Sequence, residues 1–194
     1  MNRTTAIRAI ISATSAEPVV FTTEAACRVA RSISDRRNHL YLTAGGELAS
    51  SLGIGVAMQV RRPTIVVDSY ASLARNPMGL ITAGTLPRLS LVHVVLDDGL
   101  FGAGDADAPT GRADVCALAR AAGYDSVMST ARPDRFMTLV RDHVSRTSRP
   151  VLIRCLLSAP DEPVAAAAAA VRTGDLPAHA RRFTESIGDL GAIA

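Results

Sequence analysis

The sequence contains no lysine and no tryptophan, and all 21 of its basic residues are arginines. The absence of lysine excludes Schiff-base catalysis, anchoring of pyridoxal phosphate and a P-loop, because each needs an ammonium side chain. Aromatic residues make up only 4% of the chain. Because the arginines are scattered and few rings could stack on bases, the composition does not predict a nucleic-acid-binding protein.

Long apolar runs are also missing, since none approaches the roughly 20 residues that cross a bilayer. The amino-terminal stretch MNRTTAIRAIISATSAEP has Arg8 within its apolar patch, and Ile7, Ile10 and Ile11 follow helical spacing. This pattern favours an amphipathic helix over a signal peptide. We therefore expect a cytoplasmic protein that does not bind a membrane.

Cysteines are few and isolated, at positions 27, 116 and 155. An odd number of dispersed cysteines fits neither a disulfide framework nor a zinc site. We expect three buried thiols, because each lies among apolar residues and free cysteine behaves as a small hydrophobe. A catalytic thiolate is the alternative, although no neighbouring residue distinguishes one of the three.

The 194 residues, 48% of them hydrophobic, are enough for one domain that spans 1–194. Short apolar runs predict strands at 18–23, 39–43, 64–69, 91–97 and 150–156. Amphipathic patterns predict helices near 4–14, 24–34, 48–60, 77–86, 111–122, 132–146 and 177–188. This alternation predicts an α/β fold, a three-layer, doubly wound and mostly parallel sheet with helices on both faces.

Ligands of such sheets bind beyond the carboxyl ends of the strands, which directs attention to the turns at 43–47, 68–72 and 97–107. The glycine- and aspartate-rich segment 100–111 is long for a connector and predicts a mobile loop over the site, with a plain surface loop as the alternative. The segment VAAAAAAV at 164–171 predicts a helix or a packed connector.

The run PTIVVDSYASLARN at 63–76 reads as a strand, a turn of small residues and a helix. A junction of this kind presents backbone N–H groups and the positive end of a helix dipole, which suits phosphate groups. The turn at 68–72 is therefore the first candidate for a binding site.

Four stretches in chain order resemble the cofactor-binding half of thiamine-diphosphate-dependent 2-oxoacid decarboxylases, of the phosphonopyruvate and sulfopyruvate decarboxylase group. They are MNRTTAIRAI with RRNHLYLTAGGELASSLGIGVAM, TIVVDSYASLARNPMGL, LVHVVLDDGLFG and ADVCALARAAGYDSV. The resemblance runs from residue 1 to about 156, and LPAHARRF near 176–183 is similar to the closing helix of the family. It implies the thiamine-diphosphate-binding fold and a diphosphate-binding (beta) subunit, whose partner would be a pyrimidine-binding (alpha) subunit in a hetero- or homo-oligomer.

The family holds its diphosphate through a Gly-Ser-Met-Gly turn and a Gly-Asp-Gly-Ser turn. By resemblance, the cofactor-binding positions of this chain are Gly45, Gly46, Ser69, Ala71, Ser72 and Leu100. The first turn reads Ala-Gly-Gly-Glu here, so Glu47 places a carboxylate where the resemblance puts a diphosphate. Like charges about 4 Å apart repel by around 4 kcal/mol at an effective dielectric near 20.

The family also binds Mg²⁺, through the aspartate of the second turn, an asparagine further on and a backbone carbonyl. These positions correspond to Tyr70, Asp98 and Leu100, so that a phenol replaces one carboxylate ligand and a carboxylate replaces the asparagine. Mg²⁺ prefers hard oxygen ligands in an octahedron. Asp98 remains a candidate metal ligand, and Tyr70 departs from the pattern.

Two leading hypotheses follow, and both remain open from the sequence. The first is a subunit of a split lyase that decarboxylates a small anionic 2-oxoacid with thiamine diphosphate and Mg²⁺. The second is a cofactor-free descendant, either a scaffold subunit or an enzyme that uses Glu47, Tyr70 and Asp98 as acid-base groups. A nucleotide-binding domain of the Rossmann type is a third hypothesis, weakly supported by GGELASSLG because the full glycine spacing is absent.

Each candidate residue also has a purely structural interpretation. The Tyr70 ring could be packed with its hydroxyl hydrogen-bonded. The carboxylates of Asp68 and Asp98 could cap helices, and Glu47 could be a first-turn residue favoured by the helix dipole. We interpret His93, within LVHVV, as a core residue rather than a general base.

Overall fold

The computed structural model of the protein describes residues 1–99, 112–158 and 176–188. Strands in these ranges form one six-stranded sheet: β1 (Val19–Thr22), β2 (His39–Leu42), β3 (Thr64–Ser69), β4 (Leu91–Asp97), β5 (Ser126–Thr130) and β6 (Val151–Leu156). The strand order is β2-β1-β3-β4-β6-β5, and every neighbouring pair is parallel. This confirms the predicted α/β fold with its parallel sheet.

Helices cover both faces of the sheet. They are α1 (Arg3–Ala13), α2 (Glu24–Ile33), α3 (Ala49–Ala57), α4 (Tyr70–Arg75), α5 (Met78–Gly84), α6 (Val115–Ala122), α7 (Pro133–Arg146) and α8 (Leu176–Gly188). Side chains of α1, α2 and α7 build the core on one face, and those of α3 to α6 and α8 build the core on the other. The three-layer architecture is therefore confirmed for the described residues.

The central strands are apolar throughout because both of their faces are buried. In β3, Ile65 and Val67 belong to one core, whereas Val66 belongs to the other. Helix α3 approaches this strand closely at Gly53, where an added Cβ would lie 2.1 Å from Val66 Cγ2. Only glycine fits at this contact.

Five strands lie where the sequence predicts them, and β5 is the one that the sequence analysis did not predict. Its residues SVMST are partly exposed, and it pairs only with β6 at the edge of the sheet. An edge strand needs no continuous apolar run, so the hydrophobic signal was absent. The predicted segments 100–111 and 164–171 lie outside the described residues.

None of the helices in the described ranges combines the length and the apolar character that crossing a membrane requires.

The strand order places a crevice between β1 and β3. From β1 the chain passes to β2 on one side and then returns to β3 on the other side. Connections that leave in opposite directions open a crevice beyond the carboxyl ends of the two strands, where ligands of doubly wound sheets bind.

Candidate functional site at the carboxyl edge of the sheet

A cleft with a volume of about 230 Å³ opens at this crevice. The ends of three neighbouring strands and the starts of α1, α2 and α4 form it. Its lining residues include Arg3, Thr22, Asp68, Ser69, Ala71 and Asp98. Among the predicted site residues, the cleft therefore brings together Ser69, Ala71 and Asp98.

The two turns that the resemblance assigns to the diphosphate, at 44–47 and 69–72, lie beside each other. Gly45 has a φ of +68°, in the left-handed region that favours glycine, and a 3-10 turn follows at Gly46–Leu48. A Cβ added at Gly46 would lie 3.0 Å from Ser72 Oγ. The two turns are therefore in direct contact, as their shared role in the resemblance implies.

The hydroxyl groups of the second turn are used within the turn itself. Ser69 is the N-cap of α4, and its Oγ accepts a hydrogen bond from the Ser72 backbone N–H at 3.0 Å. The Ser69 and Ser72 hydroxyls are also 3.0 Å apart. This arrangement stabilises the start of α4 and satisfies one of its unpaired N–H groups.

Tyr70 is turned into the protein rather than toward the cleft. Its side chain is buried, its hydroxyl donates to the Ala113 carbonyl at 3.0 Å, and the Arg112 guanidinium lies 4.1 Å from the ring centroid. The ring is packed, the hydroxyl is hydrogen-bonded and the guanidinium forms a cation–π contact. These contacts agree with the interpretation of Tyr70 as a structural residue. The position does not support an acid-base role at the cleft.

Arg112 also belongs to an ion-pair cluster around the buried carboxylate of Asp97, which the sequence analysis did not single out. Its Nη2 lies 2.5 Å from Asp97 Oδ1, while Arg154 donates to Asp97 Oδ2 from Nε at 2.9 Å and from Nη2 at 2.6 Å. Burial alone would raise the pKa of Asp97, but the hydrogen bonds from Arg112 and Arg154 outweigh it and hold that pKa below its usual range. Through these contacts, Asp97 at the end of β4 is joined to Arg154 in β6 and to Arg112, which precedes α6.

Asp98, the predicted metal ligand, is paired with a cation of the chain itself. Its Oδ2 lies 3.1 Å from Arg3 Nη2, and both side chains line the cleft. Arg3 stands at the first position of α1, whose N-cap is Asn2. No sequence pattern connects residues 3 and 98, so only the packing of α1 beside β4 shows this pair.

Glu47 lies at the exposed rim, in the first turn of the 3-10 helix. Its backbone carbonyl accepts a hydrogen bond from Asn76 Nδ2 at 3.0 Å, which ties the first turn to the end of α4. Leu100, predicted to supply a carbonyl, lies outside the described residues. The role of each in binding a cofactor remains a prediction.

A buried polar chain leads inward from the cleft. Asp68 Oδ1 accepts from the Ser69 N–H at 2.8 Å and from Thr22 Oγ1 at 3.3 Å, and its Oδ2 lies 3.5 Å from His93 Nε2. His93 Nδ1 is 3.3 Å from the Tyr124 hydroxyl, and burial raises the pKa of Tyr124. His93 is fully buried, as expected for a core residue, and Asp68 does not cap a helix.

Backbone strain marks one more residue of the cleft. Thr23 has a φ of +66°, which is unusual for a β-branched residue, and its Oγ1 caps α2 by accepting from the Ala26 N–H at 3.3 Å. Sequence patterns did not indicate this strain, because threonine is also an ordinary cap.

The three cysteine side chains are buried, which confirms the structural prediction. Burial raises the pKa of Cys27 and of Cys155 to about 12, and it raises the pKa of Cys116 as well. A thiol with a raised pKa stays protonated near neutral pH, so the catalytic alternative receives no support.

The residues at the cleft do not fit the metal ligation that the resemblance implies. The side chain at position 70 is a buried phenol, and the Asp98 carboxylate is paired with Arg3. Within the described ranges, no three histidine, cysteine, aspartate or glutamate residues come together as metal ligands. A dication on Asp98 would also lie near the Arg3 guanidinium, and charges of +2 and +1 about 5 Å apart repel by about 7 kcal/mol at an effective dielectric near 20.

The fold is that of thiamine-diphosphate-dependent enzymes. The 4-hydroxybenzoylformate decarboxylase of Rhodococcus jostii RHA1 matches 84% of this chain and 33% of its own with a TM-score of 0.67, at 13% sequence identity. A likeness at that identity concerns the fold alone.

Sequence relatives define the family more closely. Phosphonopyruvate decarboxylase of Streptomyces viridochromogenes is 34% identical over 110 residues, which are 56% of this chain and 28% of that protein. Sulfopyruvate decarboxylase subunit beta of Methanocaldococcus jannaschii is 28% identical over 97 residues, which are 49% of this chain and 52% of that subunit. These relatives support the resemblance of the chain to phosphonopyruvate and sulfopyruvate decarboxylases, although no family model matches it.

The matches span about a quarter to a half of these relatives. The match to the Streptomyces protein covers only 28% of that protein. The match to the archaeal subunit covers nearly equal shares of both chains, 49% and 52%, so the two have nearly the same length.

Proposed function

We propose that the chain is the beta-type subunit of a split, decarboxylase-like enzyme, which acts on a small anionic 2-oxoacid together with a pyrimidine-binding-type subunit. The observation that carries this proposal is the sequence similarity to a protein named as subunit beta of sulfopyruvate decarboxylase. The cleft at the switch point of the sheet is the corresponding half-site. Its polar lining is altered, so binding of Mg²⁺ and thiamine diphosphate does not follow the pattern of the family.

If a thiamine diphosphate were bound by the assembly, it would supply the electron sink for decarboxylation. The contribution of this chain would be to position groups at the carboxyl edge through the 3-10 turn Gly46–Leu48 and the capped start of α4. Because Tyr70 is buried beneath Arg112 and Asp98 is paired with Arg3, neither side chain is set up to ligate a metal.

A second candidate function is that of a cofactor-free scaffold subunit, and the same contacts of Tyr70 and Arg3 favour it. The acid-base version of this alternative has less support. It requires Glu47, Tyr70 and Asp98 to converge, yet Glu47 is exposed at the rim and the Tyr70 hydroxyl bonds to Ala113. Only Asp98 of the three lines the cleft.

Calorimetric titration with thiamine diphosphate separates the two candidates. For the enzyme subunit, we expect binding when the pyrimidine-binding-type partner is present, with little dependence on added Mg²⁺. If thiamine diphosphate released heat of binding only when Mg²⁺ was added, the proposal that the site is altered would be contradicted. Absence of binding with partner and Mg²⁺ both present would contradict the enzyme subunit and leave the scaffold.

An exposed apolar surface supports the need for a partner. Residues 49–59 and 77–87 contain no charged side chain, although α3 and α5 lie on the outside of the sheet. The two helices pack together where a Cβ added at Gly79 would lie 2.4 Å from Ser50 Cβ. Exposed apolar side chains on this α3–α5 surface include Leu52 at 39%, Met58 at 53%, Met78 at 59% and Ile81 at 50%, and Leu48 at 57% adjoins it.

We propose that the partner subunit covers the α3–α5 surface. Leu48 ends the 3-10 turn that follows Gly45, so the apolar surface is continuous with the candidate site. A subunit that completes the site would therefore also bury these side chains, which is the usual reason for such a patch. The same contact would exclude water from the first turn.

Introducing charge into this surface is expected to prevent assembly. The double variant Leu52→Glu, Ile81→Glu should abolish co-purification with the pyrimidine-binding-type subunit, because each buried carboxylate would lack a partner. Met137→Glu is the matched control, since Met137 is 40% exposed on α7 at the opposite face. Light scattering after gel filtration measures the complex, and an undiminished complex in the double variant would contradict the assignment.

A further inference from the structure

Arg3 places a guanidinium in the cleft, where it is paired with Asp98. The Arg3 side chain is 17% exposed and lies 3.1 Å from an Asp98 oxygen, and Ser69, Ala71 and Asp68 line the same cavity. Asp98 is the position where the resemblance puts a metal ligand. The guanidinium therefore lies next to the oxygen atom that a divalent cation would need.

The position of Arg3 is fixed by the rest of the fold. Asn2 Oδ1 accepts a hydrogen bond from the Thr5 N–H at 2.8 Å, which caps α1, and the Ser158 N–H donates to the Met1 carbonyl at 3.1 Å. Further along α1, Ile7 and Ile10 are fully buried in the core. The backbone of Arg3 is therefore fixed by a capped helix start and a packed helix, and its guanidinium reaches Asp98 from this position.

The Arg3–Asp98 ion pair is neutral as a unit without a metal ion. The residue at position 70 is a tyrosine rather than a carboxylate, and the Arg3 guanidinium lies 3.1 Å from the Asp98 carboxylate. The Asp68 carboxylate receives its own hydrogen bonds from Thr22 and Ser69. The Tyr70 ring in the core and the Arg3 guanidinium at Asp98 therefore both work against metal ligation at this cleft.

We infer that Arg3 replaces the divalent cation of the fold, so that the cleft is a metal-independent site whose resident positive charge is a guanidinium. A ligand that enters meets hydrogen-bond donors in a fixed plane rather than open coordination positions. This inference concerns the same cleft as the proposed function. It depends only on this chain, so failure to find a decarboxylase activity would leave it standing.

Binding of Mn²⁺ to the isolated chain tests the inference, with the decrease of the free-ion signal in electron paramagnetic resonance as the readout. We expect the wild-type chain to bind Mn²⁺ no better than Arg3→Lys, which keeps the positive charge. Arg3→Met should bind at least about tenfold more tightly, because it uncovers Asp98 and removes the repulsion. Adding Asp98→Asn to Arg3→Met should abolish the gain.

Arg8→Met is the charge-matched control, because Arg8 is exposed on the same helix and its loss changes the net charge equally. It should bind Mn²⁺ like the wild type. Equal affinities of Arg3→Met and Arg8→Met would overturn the inference, and so would stoichiometric micromolar binding by the wild-type chain.

Discussion

Replacing Tyr70 with aspartate, which restores the carboxylate of the family pattern, should destabilise the protein by about 3–5 kcal/mol and should not create a metal site. The phenol ring is 2% exposed and packs in the core beneath α6. Aspartate at this position would leave a cavity and a carboxylate in apolar surroundings. Because Arg3 would still be paired with Asp98, the new carboxylate at position 70 would not form a binding site for a divalent ion.

Urea unfolding followed by circular dichroism measures this loss, with and without Mg²⁺. Tyr70→Phe is the matched control, since it keeps the ring and removes the hydroxyl that donates to the Ala113 carbonyl, and it should cost about 1 kcal/mol. A Tyr70→Asp variant of wild-type stability, with an unfolding midpoint that rises on adding Mg²⁺, would show that the side chain at position 70 can turn to the cleft.

Removing the charge of Asp97 should have a similarly large effect, about 3 kcal/mol of lost stability, although the neighbouring Asp98 looks equivalent in sequence. Asp97 is 2% exposed and receives hydrogen bonds from two arginines. The variant Asp97→Asn leaves both guanidinium groups without their counter-ion. Asp98→Asn is the adjacent control and should cost about 1 kcal/mol or less, because its side chain is 40% exposed.

The pH dependence of stability distinguishes the Asp97 charge from simple packing. The pKa of Asp97 is lowered in the folded protein, so its contribution is fully present above its unfolded pKa of about 4 and is lost as the pH falls through the lower folded value. The difference in unfolding free energy between wild type and Asp97→Asn should therefore be large at neutral pH and shrink in acid. A difference that stays constant from pH 7 down to pH 2 would contradict the ion-pair explanation.

Much of the fold follows from the sequence because buried parallel strands must be apolar on both faces. The limits of β3 and β4 agree with the predicted 64–69 and 91–97. The edge strand β5 escaped prediction because one of its sides has no partner strand, and its residues carry little hydrophobic signal. The other edge strand, β2, was predicted at 39–43, because its residues are largely buried and apolar.

The candidate site could be predicted only in part. Strand ends and small-residue turns identified the carboxyl edge, and the structure places Ser69, Ala71 and Asp98 at one cleft there. No local sequence pattern identified Thr23, Arg112 or Arg154 as residues of this region. Their roles depend on contacts between residues distant in sequence, such as the one that joins Arg154 and Asp97 across 57 positions.

By itself, the sequence determined the alternation of strands and helices, the edge of the sheet at which a ligand would bind, and the absence of both lysine chemistry and a carboxylate at position 70. Only the tertiary structure decided what these residues contact: Tyr70 turns into the core under Arg112, and Arg3 reaches Asp98 from 95 residues away. The physical reason is that strand and helix patterns arise from local periodicity and burial. The charge at a site, by contrast, is set by side chains that only folding brings together.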